Sequence, residues 1–309
     1  MVRGIALVSL SSGILGEAFV RHELEIGLKR LEGYGIKVKI TDNALKGLNY
    51  LKAHPEKRAQ DLLDAFADDS IDMILCAIGG DDTYRLLPYL FEDGKLERAA
   101  REKIFLGFSD TTINHLMLHK IGLKSFYGQA FLPDICELDF EMPPYTRHYF
   151  EELIFTGRIS EIRPSELWYE ERTSFDEAAI GTPLVSHINR GFELLQGSSR
   201  FSGEILGGCL DTLYDIFNGE RHADSPALCQ KYALFPSPED WRGRILLLET
   251  SEERPSPQKF EKMLNVLKST GVFEVVNGVL IGKPIDELYC EEYKEILVRI
   301  VDNPELPLL

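Results

Sequence analysis

The stretch Ile104-Phe105-Leu106-Gly107-Phe108-Ser109-Asp110-Thr111-Thr112 decides how the first half of this chain is built. An apolar run reaches a glycine, a short polar turn follows, and Ile113, Leu116, Met117 and Ile121 then recur on one helix face. A buried strand feeding straight into a helix is one βα unit of an open parallel sheet. The same alternation extends outward. Ile5 to Leu10 reads as a first buried strand ending in Ser11-Ser12-Gly13. Leu24, Leu28 and Leu31 mark a helix closed by Gly33 and Gly35, and Val38 and Ile40 a short second strand. Ala59, Leu62, Leu63 and Phe66 mark a helix entered just after Pro55, and Ile71 to Ile78 a third strand ending at Gly79-Gly80. Leu86, Leu87 and Leu90 give a short helix, and Ser125 to Tyr127 begins a fifth strand. Short loops between alternating elements predict a parallel sheet wrapped on both faces over residues 1–135.

The pattern changes near residue 135. Met142-Pro143-Pro144 breaks regularity, and a helix follows from Thr146 to Phe155. Ser165 to Pro183 is charged and poorly periodic, so residues 136–183 read as a linker and lid segment. Beyond it the expectation is a separate α+β domain over 184–309. Its predicted strands are Leu184–Ile188, Arg200–Leu206, Ile245–Leu248 and Val275–Ile281. One helix follows Gly208, and another carries Phe260, Met263, Leu264 and Leu267.

Bulk properties narrow the classes of function. The net charge of −16 repels phosphate backbones and anionic membranes, and no Lys/Arg cluster offsets it. No apolar run is long enough to span a bilayer, and Met1 to Val8 reads as a strand rather than a signal peptide. Five scattered cysteines without a C-x-x-C pair argue against a disulfide framework and a zinc site, and point to the cytoplasm. No metal or cofactor is expected.

Ligands of open α/β sheets bind at the carboxyl ends of strands, and two such ends stand out. A serine on the Gly107-Phe108-Ser109-Asp110 turn can be a nucleophile, with a helix N-terminus aiming N–H groups at its target. The full G-x-S-x-G pattern is absent, since Thr111 stands at the second glycine, and Ser109 or Asp110 can equally serve as a helix cap. Gly79-Gly80 lets a backbone N–H face a ligand closely, as an oxyanion hole together with the N–H of Asp110. The run Gly79-Gly80-Asp81-Asp82-Thr83 also resembles the phosphate turn of diacylglycerol and NAD kinases, but Asp82 puts a negative charge where phosphate sits. Glu249, closing the apolar run Ile245–Leu248, is a carboxylate suited to orienting a base, or a solvated surface residue. His115 and His119 share a helix face without the intervening Glu of a zinc motif, so packing is the expected role.

These segments in this order resemble the LD-carboxypeptidase family of serine peptidases, which includes the microcin C self-immunity peptidases. The resemblance runs through Arg58–Leu62, Ala65–Asp68, Ile78–Gly80, Arg85–Leu90, Gly107–Thr112, Phe126–Gly128, Gly207–Leu210 and Leu248–Glu253. It implies a flavodoxin-like N-terminal domain, a smaller β-rich C-terminal domain, and an active site between them. It implies a Ser-Glu-His triad with Ser109 as nucleophile and Glu249 as the orienting acid, and an oxyanion hole from the N–H groups of Gly80 and Asp110. The segments around Glu249 and Trp168 look closer to the microcin C immunity branch, where aromatic side chains stack on a nucleobase. Trp168 is the matching residue, with Tyr169 or Phe175 as helpers, although packing of the loop is an equal reading.

One departure stands out. The family's catalytic histidine lies in a Gly-His segment near the C-terminus, and none of the seven histidines here matches it. The expectation is that the C-terminal domain continues past Leu309 and that the base lies there. The expected function is hydrolysis of an amide next to a free carboxylate, in a murein peptide or a microcin C-like peptidyl-aminoacyl-nucleotide, by a homodimer. The alternatives are a non-catalytic binder of such conjugates and a nucleotide or phosphometabolite kinase.

Overall fold

A computed structural model describes residues 1–309, and the chain divides into two compact units. The first comprises Met1–Arg163 and Arg172–Val185. Its strands are β1 (Gly4–Val8), β2 (Lys37–Ile40), β3 (Met73–Cys76), β4 (Ile104–Gly107) and β5 (Phe126–Tyr127). They lie in the order β2-β1-β3-β4-β5, and every pairing is parallel. That order is the flavodoxin-like one, with its switch point between β1 and β3. The helices of the unit are α1 (Arg21–Gly33), α2 (Leu48–Ala53), α3 (Pro55–Ala67), α4 (Leu87–Phe91), α5 (Lys95–Ala99), α6 (Thr112–Lys120) and α7 (Pro144–Thr156).

Continuous apolar runs produce strands buried on both faces: every residue of β1 and β3 is buried. Ile5, Leu7, Leu75, Phe131 and Phe150 belong to one core cluster. Each such side chain contributes about 1.5–3 kcal/mol by leaving water. Pro55 sits at the first turn of α3, where its missing N–H costs nothing. Ala59, Leu62 and Phe66 on that helix are buried as their spacing predicts.

The second unit comprises Pro164–Glu171 and Ser186–Leu309. A separate ribbon pairs β6 (Leu167–Tyr169) antiparallel with β7 (Ser186–Ile188). The main sheet contains β8 (Ile205–Cys209), β9 (Ile245–Glu249) and β10 (Gly278–Ile281), in the order β10-β9-β8 and all parallel. The helices are α8 (Leu210–Asp215), α9 (Ser225–Lys231), α10 (Pro238–Trp241), α11 (Pro257–Ser269) and α12 (Cys290–Val301). Leu308 bridges to both Gln196 and Val279, so the last residues run alongside β10.

Three local differences from the sequence reading have physical causes. The segment from Ser165 to Pro183 is not structureless, because β6 lies in it and finds its partner in β7. The strand expected at Arg200–Leu206 starts later, at Ile205, and runs through Gly207 and Gly208. A Cβ on Gly207 would lie 2.1 Å from the Leu247 carbonyl oxygen, so close pairing with β9 demands glycine inside the strand. Helices α9, α10 and α12 lie outside the two expected in this region, and α12 buries Tyr293, Ile296, Leu297, Ile300 and Val301.

Candidate active site

In the first unit, the loops leaving β1, β3 and β4 carry the candidate residues at and beside the switch point, where parallel sheets bind ligands. Ser109 follows β4 directly and opens the 3-10 turn Ser109–Thr111 that leads into α6. Its φ is +60°, a left-handed conformation that costs a non-glycine residue about 1–2 kcal/mol. The cap alternative does not hold: neither this turn nor α6 has a side-chain cap. Three contacts over-determine the turn instead. Ser109 N–H donates to the Tyr127 hydroxyl at 2.9 Å, Thr111 Oγ1 donates to Phe108 O at 2.7 Å, and Thr112 Oγ1 donates to Ser109 O at 2.6 Å. Ser109 is thus a half-buried, left-handed serine on a strand-to-helix turn, the position at which an elbow nucleophile would stand.

Gly79 packs against it. A Cβ there would lie 2.7 Å from both Cβ and Oγ of Ser109 and 3.2 Å from Asp110 N. Gly80 has φ +150°, and a Cβ on it would lie 2.2 Å from Ser11 Oγ. Neither Gly80 N–H nor Asp110 N–H is taken up by a backbone acceptor of these turns. Gly80 lies in the glycine turn and Asp110 in the elbow that bracket Ser109.

Two carboxylates of these loops, Asp110 and Asp82, are buried. Asp110 is buried, and its Oδ2 accepts from Ser11 Oγ at 2.5 Å and from Thr83 N–H at 2.9 Å. Burial pushes this carboxyl up to about 6, although both hydrogen bonds act the other way. Asp82 does not face a ligand, as a phosphate-turn reading expects. Fully buried Arg58 clamps it, Nη1 to Oδ1 at 2.5 Å and Nη2 to Oδ2 at 3.2 Å. The same guanidinium donates to the carbonyls of Leu10 and Ser11 at 3.1 Å each. Thr83 Oγ1 donates to Leu10 O at 3.0 Å. The turn therefore spends its polar groups on the protein itself.

His115 fills a packing role beneath the elbow. Its Nε2 meets Gly107 O at 3.0 Å and its Nδ1 meets Ser125 Oγ at 2.7 Å, while its ring lies 5.2 Å from that of Tyr127. Gly107 O can only accept, so Nε2 carries the proton and Nδ1 accepts from the serine. Desolvation lowers this imidazole to about 4, so it is neutral at pH 7.

In the second unit, Glu249 closes β9 opposite Cys209 and is half-buried. Gly282 keeps room beside it, since a Cβ there would lie 3.1 Å from Glu249 Cβ. The chain after Glu249 is pinned by Ser251 N–H, which donates to buried Asp211 Oδ2 at 3.0 Å. Glu253 pairs with Arg221 at 2.7 Å, and Arg254 pairs with Glu171 at 3.0 Å and also with Asp286. Trp168 lies on the ribbon with its ring stacked on His187, centroids 4.4 Å apart and planes 21° apart. His187 Nε2 in turn meets Glu170 Oε1 at 2.7 Å. Tyr169 alternates to the opposite face of the ribbon. Phe175 belongs to the first unit, where its carbonyl meets His22 Nε2 at 2.9 Å.

The structure thus brings Ser109, Asp110, Gly79 and Gly80 together within one unit and holds Glu249 and Trp168 in the other. Sequence reasoning passes over the roles of Tyr127, Ser11 and His187, and it reads the Asp110 side chain as a helix cap rather than as an acceptor for Ser11 and Thr83. Phe126-Tyr127-Gly128 is a recognisable segment, but nothing local connects its hydroxyl to Ser109.

Comparison with known proteins finds one family along most of the chain. The LD-carboxypeptidase N-terminal domain matches residues 5–128, and the LD-carboxypeptidase C-terminal domain matches residues 202–309. The Microcin C7 self-immunity protein MccF of Escherichia coli is 30% identical over 294 residues, covering 92% of this chain and 77% of that protein. A probable murein peptide carboxypeptidase of Bacillus subtilis is 30% identical over 261 residues, covering 84% of this chain and 66% of that one. The crystal structure of an MccF-like protein from Streptococcus pneumoniae in complex with AMP is 63% identical. It superposes with a TM-score of 0.99 over 100% of this chain and 90% of that one.

Proposed function

The chain belongs to the LD-carboxypeptidase family and is a peptidase, and from that premise we propose that Ser109 is the nucleophile, attacking an amide carbonyl next to a free carboxylate in a nucleotide-bearing peptide conjugate. The observation that carries the nucleophile assignment is the left-handed Ser109 on its strand-to-helix turn, with Gly79 packed against it. In this reading Ser109 Oγ adds to the carbonyl as a base takes its proton. The N–H groups of Gly80 and Asp110 hold the oxyanion, the amine leaves, and water hydrolyses the acyl-enzyme. Glu249 is the acid that orients the base. The family resemblance implies a histidine as the base, and none of the seven histidines here matches its Gly-His segment.

The nucleotide choice rests on the 63% identical pneumococcal structure, which is a complex with AMP. Trp168 stacks on His187, and in this reading its indole is the platform for a base. A murein peptide is the second reading, favoured by the Bacillus subtilis relative. The five free cysteines support a reducing cytoplasm, and no helix is long and apolar enough to cross a membrane. A homodimer is part of this proposal, and sedimentation velocity tests it.

The deciding experiment uses the protein with two substrates, an aspartyl-adenylate amide of a short peptide and an L,D-linked murein tetrapeptide. Mass spectrometry should show cleavage of the first, lost in Ser109→Ala. Trp168→Ala should raise KM for it while sparing kcat, since stacking on one base is worth about 1–3 kcal/mol. Cleavage of the tetrapeptide alone overturns the nucleotide reading, and cleavage that survives Ser109→Ala overturns the nucleophile.

A further inference from the structure

We propose that the Asp110 side chain is a positioning residue for this hydrolysis, with one carboxylate oxygen tying the Ser109 elbow to the Gly80 turn and so fixing the two oxyanion donors relative to the nucleophile. The proposal rests on the assignment of Ser109 as nucleophile.

Three loops meet at Asp110 Oδ2. Ser11 brings the loop after β1, through its hydroxyl at 2.5 Å. Thr83 brings the loop after β3, through its N–H at 2.9 Å. Asp110 itself continues the elbow after β4. Gly80 lies between these tethers, close enough to Ser11 that no side chain fits, and Ser12 N–H donates to Gly79 O at 3.0 Å. Behind them Arg58 and Thr83 Oγ1 bind the same stretch of backbone at Leu10 and Ser11. The frame is buried on that side. The elbow attaches to it through Asp110 Oδ2, and the helix that follows attaches through Asn114 Oδ1, which accepts from Thr83 Oγ1 at 3.2 Å.

The carboxyl is an unfavourable group to bury for packing alone, since water would solvate it better. Burial has already moved its titration toward neutrality. What the site uses is an acceptor at one point, because both donors go to Oδ2. An amide oxygen at that position can accept the same two bonds. The tether therefore predicts that asparagine substitutes for Asp110 and alanine does not.

The test measures the second-order rate of fluorophosphonate labelling at Ser109 in the full-length protein, with thermal melting recorded for each variant. Asp110→Ala should label about 100-fold slower, the cost of displacing reacting groups by about 1 Å. Asp110→Asn should label within about threefold of the unaltered protein, because the acceptor is restored. Ser11→Ala removes one tether and should slow labelling about three- to tenfold, even if Asp110→Ala proves too unstable to assay. Asp110→Asn as slow as Asp110→Ala overturns the proposal. So does Ser11→Ala labelling at the unaltered rate, or a variant that melts lower yet labels normally, which is the mark of a structural role alone. Labelling that persists in Ser109→Ala overturns the nucleophile assignment instead, so the two failures are distinguishable.

Discussion

Replacing Gly79 with alanine tests the elbow where it is tightest. The new Cβ would sit 2.7 Å from both Cβ and Oγ of Ser109. Non-bonded carbons rest at about 3.5–4.0 Å, so the two residues must separate by about 1 Å. Neither can withdraw freely. Ser109 is held by its N–H on Tyr127 at 2.9 Å, and Gly79 by its carbonyl on Ser12 N–H at 3.0 Å. The displacement therefore falls on Oγ. A misplacement of that size costs about 100-fold in rate, or about 2.7 kcal/mol of barrier. Overpacking costs a further ~1–3 kcal/mol of stability, which urea unfolding reads separately. The assay is the fluorophosphonate labelling rate of folded Gly79→Ala, with Gly33→Ala as control. Gly33 ends α1, and a methyl group added there would meet nothing within 4 Å, so its rate should not change. A folded Gly79→Ala that labels within about twofold of the unaltered protein would refute the claim that this packing sets the nucleophile.

Arg58→Met should destabilise the protein by about 3–5 kcal/mol, because it removes both short bonds to the buried Asp82 carboxylate and leaves Arg85 Nε 3.9 Å away, and Asp82→Asn in that background should recover part of the loss. Urea midpoints within error of the parent would contradict the buried clamp. For Asp110 the folded pKa of about 6 lies above the ordinary 3.8, so the folded state holds the proton more tightly. Its stabilising contribution is full below the lower value and lost as pH rises through the upper one, an effect of up to about 3 kcal/mol. Asp110→Asn should therefore gain stability relative to the parent between about pH 4 and 7, and parallel pH–stability curves would exclude it. For His115 the shift runs the other way, from 6.5 down to about 4. Its contribution is full above the first value and lost as pH falls through the second. Nitrogen NMR should find it neutral with the proton on Nε2 at pH 6, and titration near its ordinary value would contradict the buried ring.

The parallel sheet is legible because its strands are continuous apolar runs and its helices repeat at the right spacing. Ile104–Gly107 and Ile113–Met117 announce a strand and a helix without any tertiary knowledge. Helix α12 carries the same signal in Tyr293, Ile296, Leu297 and Ile300, set among Glu291, Glu292, Lys294 and Glu295 that mark its solvent side. The ribbon β6–β7 is a different case, since two three-residue strands are too short to show a period and owe their structure to each other. Gly207 looks like a strand end from sequence because only the Leu247 carbonyl explains why glycine stands inside the strand there. The site divides in the same way. Ser109, Gly79 and Gly80 are local patterns at strand ends. The partner of Asp110 lies 99 positions away at Ser11, and that of Arg58 lies 24 away at Asp82. Nothing in local sequence encodes such pairings, and Asp82 looks exposed until its guanidinium is found.

The ribbon also determines how this protein can be taken apart. The chain leaves the first unit at Arg163, enters the second for Pro164–Glu171, returns for Arg172–Val185, and leaves again at Ser186. Neither unit corresponds to one continuous piece of gene. A fragment ending at Arg163 loses buried Ala179 and the hydrogen bond from Gly181 N–H to Leu138 O. A fragment beginning at Ser186 loses β6, and with it Trp168, and it leaves β7 as an unpaired edge bearing Ile188, which is 83% exposed. Such an edge invites pairing between copies. Separate expression of the halves, the usual route to studying a two-unit enzyme, will therefore give an incomplete first piece and an aggregating second one unless residues 164–185 are rejoined by a designed permutation of the chain.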